Sequence, residues 1–155
     1  MTLQEFMGDP HADVPAMLAS LRTLAKERGL EFEPVDMICN TRWAHELRAW
    51  AGERYGLGTP FGKRVFAAYF VEGRNLGRTR VLLDLVRELG LPRKEAQEVL
   101  EARTFQHLVD QDLARASTLG IMAAPTFVAH GQRLVGAHPL EVLRDFVQGT
   151  VRGKG

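Results

Sequence analysis

Apolar residues recur along most of this chain at the three-to-four spacing of one helix face. Thr2 to Met7 reads as a short helical piece ending at Gly8. Asp13 is a natural N-cap for a longer helix running to Arg28, with Gly29 as its stop. Val14, Met17, Leu18, Leu21, Leu24 and Ala25 form its apolar stripe, which predicts a core-facing side. Leu30 to Pro34 reads as an extended connector. Asn40 is the expected N-cap of a helix ending at Gly56, with Trp43, Leu47, Trp50 and Ala51 on one face. Thr59-Pro60 starts the next helix, which carries Phe61, Val65, Phe66, Tyr69 and Phe70 and ends at Gly73. Further helices are expected over Arg80–Leu89, from Pro92 to Ala102, and from a Thr104 cap through Leu119. Glu95, Glu98 and Glu101 with Arg93, Lys94 and Arg103 read as a solvated helix face.

The pattern changes after Gly120. Thr126-Phe-Val-Ala-His130 is β-branched and aromatic, and therefore a strand. Gly131-Gln132 reads as a tight connection, and Arg133 to Gly136 as a second strand that completes a hairpin. Pro139 fits the first turn of a last helix, whose apolar face is Leu140, Val142, Leu143, Phe146 and Val147. Pro125 stands immediately before the first strand, where a residue without an N–H can be placed.

This order, Gly-Ile-x-x-x-Pro-Thr-Phe-Val, a hairpin, Gly-Ala-x-Pro and a helix, resembles the C-terminal half of the thioredoxin fold. Asn40-Thr-Arg-Trp-Ala-His45 and the aromatic helix followed by Glu72-Gly-Arg74 extend the match. The whole is similar to the DsbA family, in particular its FrnE-like branch, from about Leu3 to Val147. The resemblance implies an α/β fold, mostly α, in which a thioredoxin-type hairpin and helix follow a large helical insertion. It places a single domain over 1–155, with the insertion in 1–119 and the β-β-α portion in 120–150. It also implies that the Ala124–Pro125 bond is cis and that Ala124, Pro125 and Thr126 bind substrate. Asn40 and His45 would line the groove facing the active site. Read on the residues alone, Asn40 is a cap and His45 a helix surface position.

Composition narrows the chemistry. The chain has 155 residues, 45% hydrophobic and 25% charged, and its 20 basic and 19 acidic residues leave a net charge of +1. That gives no electrostatic footprint for nucleic acid or for an anionic membrane. No apolar run approaches the roughly 18 residues of a membrane span. The first residues lack the basic and apolar regions of a signal peptide, so a cytoplasmic location is expected.

Cysteine usage matters most. Cys39 is the one cysteine, so the chain contains no Cys-x-x-Cys. Dithiol exchange needs two thiols, the first activated at a helix N-terminus. A DsbA-type protein opens with a strand, a Cys-x-x-Cys helix and a second strand, and this sequence begins inside the segment that follows them. An alternative start, a fragment and a reduced natural protein are all consistent with that. Cys39 reads as a thiol at a helix entry. The five histidines show no metal-ligand spacing, and no phosphate loop or nucleophile elbow is present. No catalytic residue, metal or cofactor is therefore expected.

Three function classes follow. The first is a DsbA/FrnE-like thiol–disulfide oxidoreductase, represented by its substrate-facing half. The second is a glutathione-dependent transferase or isomerase of the related kappa-class and hydroxychromene-carboxylate isomerase group. There, Gly136-Ala137-His138-Pro139 supplies neither the acid nor the arginine expected to hold glutathione. The third is a non-catalytic peptide-binding or assembly protein. The expected partners are a polypeptide thiol or disulfide, or a small thiol. A homo-oligomer joined through the exposed hairpin edge is also expected, because an isolated two-stranded pair is marginal in water.

Overall fold

The computed structural model describes residues 1–33 and 35–149. They form two compact units, Met1–Val109 and the segment from Asp110 onward. The first contains α1 (Leu3–Met7), α2 (Val14–Glu27), α3 (Arg42–Tyr55), α4 (Gly58–Phe70), α5 (Thr79–Glu88) and α6 (Arg93–Ala102). Helix α7 (Gln106–Thr118) runs across the boundary. The second unit adds β1 (Thr126–Ala129), β2 (Gln132–Val135) and α8 (Leu140–Gln148).

The core of the first unit lies among α3, α4, α5 and α6. Leu47 and Trp50 from α3, Phe61 from α4, and Leu82, Leu85 and Val86 from α5 are all fully buried. Each such side chain contributes about 1.5–3 kcal/mol on leaving water. Helices α3 and α4 meet at glycines. A Cβ on Gly58 would lie 3.1 Å from the Gly52 Cα and 3.3 Å from the Arg48 carbonyl oxygen, so no larger residue fits that crossing without displacing backbone.

The solvated face expected on α6 holds for Arg93, Lys94, Glu98 and Glu101, which are exposed, but packing takes Glu95 and Arg103 out of it. Glu95 accepts a hydrogen bond from the Trp50 indole at 2.9 Å and another from the Tyr55 hydroxyl. A core indole N–H must find an acceptor, and α6 lies close enough to α3 to supply one. Arg103 donates to Glu46, which is completely buried, at 2.6 and 2.9 Å. Arg42 approaches the same carboxylate at 3.6 Å.

Several other expectations shift. The α2 stripe is not a core face throughout: Val14 is buried, but Met17, Leu21 and Leu24 are 36%, 44% and 39% exposed. Periodicity marked the stripe but could not say what would cover it. Helix α3 starts one residue later than expected, with Thr41 at the cap position. Asn40 instead accepts from the Arg42 N–H at 3.0 Å, a local Asx turn. Helix α7 opens at Gln106 rather than from a Thr104 cap, because Arg103 takes a left-handed conformation (φ 54°) that ends α6.

The hairpin turn also moves by one residue. His130 and Gly131 are the turn residues, with φ of 52° and 72°. Two positive φ values suit the twist of a two-residue hairpin. The strands pair antiparallel, with Thr126 opposite Val135 and Ala129 opposite Gln132. His130 tolerates its left-handed backbone with help from its ring, whose Nε2 donates to the Val147 carbonyl at 2.7 Å. Arg133 donates to the Gly120 carbonyl at 2.5 Å and to that of Leu119 at 3.3 Å, where a cation complements the end of α7. A Cβ at Gly120 would stand 2.1 Å from that guanidinium, and Gly120 itself has φ 63°. The Ala124–Pro125 peptide bond is cis.

Candidate functional site

In the first unit, Glu33 and the segment 35–40 are fastened to their surroundings by backbone groups. The Glu33 N–H donates to the Phe70 carbonyl at 2.8 Å, Ile38 N–H to Met1 at 2.9 Å, and Leu3 N–H to the Asp36 carboxylate at 2.8 Å. The Tyr69 hydroxyl donates to the Met37 carbonyl. The loop after α4 comes close as well: a Cβ on Gly77 would meet the Cys39 Cβ at 3.6 Å and the Asn40 nitrogen at 3.7 Å.

These ties leave a cavity of about 300 Å³ between Ile38 and Cys39, α3 and α4. Cys39, Thr41, His45 and Arg48 stand on one side of it, and Val65, Phe66, Tyr69 and Phe70 on the other. The aromatic side is a cluster in itself. The Tyr69 and Phe70 rings meet edge to face at 4.8 Å, and Phe70 stacks with Phe66 at 6.0 Å and with Phe32 at 6.0 Å. Gly62 permits the arginine to lie across α4, since a Cβ there would be 3.3 Å from the Arg48 Nε. Arg48 makes no ion pair or hydrogen bond among the described residues.

Burial, and secondarily the neighbouring Cys39 thiol, push the Tyr69 hydroxyl above its ordinary pKa. It therefore stays a phenol and holds the Met37 carbonyl as a donor. The cavity is suited to an apolar group, with a thiol in its wall and a cation in its lining.

The sequence-predicted site residues divide. His45 lines this cavity; Asn40 is exposed, does not line it, and is occupied by its turn with Arg42. Arg48 and Tyr69 were not foreseen. Thr41, His45 and Arg48 repeat at helical spacing, which is a signal, but a polar stripe is also what a solvated face looks like. Ala124, Pro125 and Thr126 belong to the second unit. Ala124 and Pro125 are exposed and Thr126 is half-buried. The Pro125 carbonyl accepts from the Gly136 N–H at 2.8 Å, which continues the ladder beyond Val135, and the Thr126 hydroxyl donates to the Ala123 carbonyl. The backbone N–H and carbonyl of Ala124 have no hydrogen-bond partner among the described residues.

The family model for the DSBA-like thioredoxin domain matches residues 6–148. The chain belongs to that family. The uncharacterized protein YwbO of Bacillus subtilis (strain 168) is 31% identical over 138 residues, which is 87% of this chain and 68% of YwbO. The fold is similar to that of the cytosolic disulfide reductase DsbM from Pseudomonas aeruginosa. That structure has a TM-score of 0.60 at 21% identity, covering 92% of this chain and 74% of DsbM. DsbM solved with GSH gives a TM-score of 0.60 at 23% identity, covering 90% and 72%. The helical arrangement with a small hairpin and following helix is thus a DsbA-like thioredoxin fold carrying a helical insertion. Among the described residues no helix is long and apolar enough to cross a membrane, and no group of three His, Cys, Asp or Glu is placed to hold a metal ion.

Proposed function

We propose that this DSBA-like chain is the substrate-holding part of a cytoplasmic thiol–disulfide oxidoreductase of the FrnE-like kind. Its substrate would be an extended polypeptide bearing a thiol or disulfide. The observation that carries this reading is the exposed, unpartnered backbone of Ala124, placed immediately before a strand. A backbone donor and acceptor free at a strand entry can pair with an added extended segment. The apolar cavity beside Cys39, within the first unit, is a separate feature suited to an apolar side chain. With one cysteine, the chain can carry a mixed disulfide at Cys39 but needs a second thiol from elsewhere to release it. A small thiol is the other partner this reading admits.

Titration of the isotopically labelled chain with an unstructured peptide containing a blocked cysteine tests the reading. The expected result is saturable shifts and slowed exchange at the amides of Ala124 and Thr126. Unchanged amides at both positions up to millimolar peptide would overturn it.

The same hairpin supports a homo-oligomer. Phe127 and Val128 are 37% and 43% exposed, and the sheet of the described residues has two strands. Edge pairing with a second copy would supply backbone partners and cover. Sedimentation at micromolar concentration should give a species heavier than 17.3 kDa, and a stable monomer would refute the pairing.

A further inference from the structure

A second concavity, of about 510 Å³, lies on the first unit where α3, α5 and α6 come together. Trp43, Leu83 and Leu100 give it an apolar surface, and Arg80, Arg93 and Arg103 bring three guanidiniums to its lining. Arg103 is committed to Glu46. Arg80 and Arg93 make no ion pair or hydrogen bond among the described residues. One carboxylate faces them, Glu101, and it accepts from the Gln97 amide at 2.8 Å. The lining is positive in balance, with Arg80, Arg93 and Arg103 against the one carboxylate of Glu101. Helices α5 and α6 add to it: both begin without a side-chain cap, so their first-turn N–H groups are not taken by one.

We propose that this concavity binds a small organic anion, a phosphate or carboxylate joined to a flat apolar body. Arg80 and Arg93 hold the anionic group, and the Trp43 indole with the leucines takes the apolar part. Guanidiniums bind both oxyanions through paired N–H donors, and the fixed charge of arginine makes the site insensitive to pH near neutrality.

The experiment titrates the labelled chain with phenyl phosphate, benzoate and inorganic phosphate. It follows the Trp43 indole N–H and the amides of Arg80 and Arg93. Saturable shifts with at least one organic anion, weakened by added salt, are expected. The tighter of the two identifies the preferred anionic group. Arg80→Gln and Arg93→Gln should each weaken binding by about tenfold, while Lys63→Gln, an equal change of charge on α4, should leave it intact. Both arginines are exposed, so the single variants are expected to fold, and their thermal midpoints check this. No saturable shift with either organic anion overturns the site, as does unchanged affinity in the arginine variants. Inorganic phosphate binding as tightly as phenyl phosphate overturns the part assigned to Trp43.

Discussion

Replacing Arg103 tests how the first unit holds α3, the helix that carries His45 and Arg48 to the candidate site. Glu46 is fully buried and receives two hydrogen bonds from Arg103, at 2.6 and 2.9 Å, while Arg42 stands farther off at 3.6 Å. Removing one partner of a buried pair costs about 3–5 kcal/mol, because the other charge is left without compensation. The Arg103 side chain is 35% exposed, so water can reach the vacated space and the lower end, about 3 kcal/mol, is expected for Arg103→Ala. Arg103 also has φ 54°, which glycine adopts without the Cβ penalty. Arg103→Gly should therefore be about 1 kcal/mol more stable than Arg103→Ala, although both lose the same ion pair. The assay is urea unfolding followed by tryptophan fluorescence. Trp43 and Trp50 both belong to α3, so the signal reports this unit. For a chain of this size the Arg103→Ala loss corresponds to a melting point lowered by roughly 6–12 °C. A loss below about 1 kcal/mol would show that Arg42 alone satisfies Glu46. An alanine variant as stable as the glycine one would show that the left-handed backbone costs nothing there.

Three further outcomes are expected. Hydrogen bonds from Arg64 and Arg74 hold the Glu72 carboxyl below its ordinary range, and Glu88 lies low for the same reason despite its partial burial. Because these carboxyls are depressed, their stabilising effect is present above the unfolded carboxylate pKa and is lost as pH falls through the lower folded values; Arg74→Gln should lessen the acid-side fall in melting temperature, and an unchanged profile would remove the network from the account. Gly58→Ala should destabilise by about 1–3 kcal/mol although alanine favours helix, since its Cβ would press on the Gly52 and Arg48 backbone; unchanged or raised stability in urea would show that α3 and α4 can separate at no cost. The chain alone should not accelerate insulin reduction by dithiothreitol, because Cys39 has no second thiol beside it; turnover at ordinary thioredoxin-like rates would contradict that reasoning.

The sequence alone determined the order of elements, because each boundary carries local chemistry. Asp13 accepts from the Ala16 N–H at the start of α2, and the glycines after α1, α3 and α8 close those helices in left-handed conformations. The proline before β1 and the β-branched run that follows marked the hairpin to within one residue. The family followed from that order.

Tertiary structure decided everything that depends on which face meets which. The α2 stripe has the right period yet stays largely exposed, because periodicity fixes a face and not its cover. Glu95 and Arg103 look like surface charges in sequence, but α3 offers an indole N–H to one and a buried carboxylate to the other. The His130–Gly131 turn displaced the expected Gly131-Gln132 connection because the histidine ring finds a carbonyl on α8, a contact between residues far apart in the chain. The cavity at Cys39 is set in the same way. Thr41, His45 and Arg48 become a wall only because the Gly52–Gly58 crossing brings α4 and its aromatic residues opposite them. Local sequence specifies caps and periods through interactions a few residues long. Pairing of distant faces depends on the packing of the whole unit, which no short window contains.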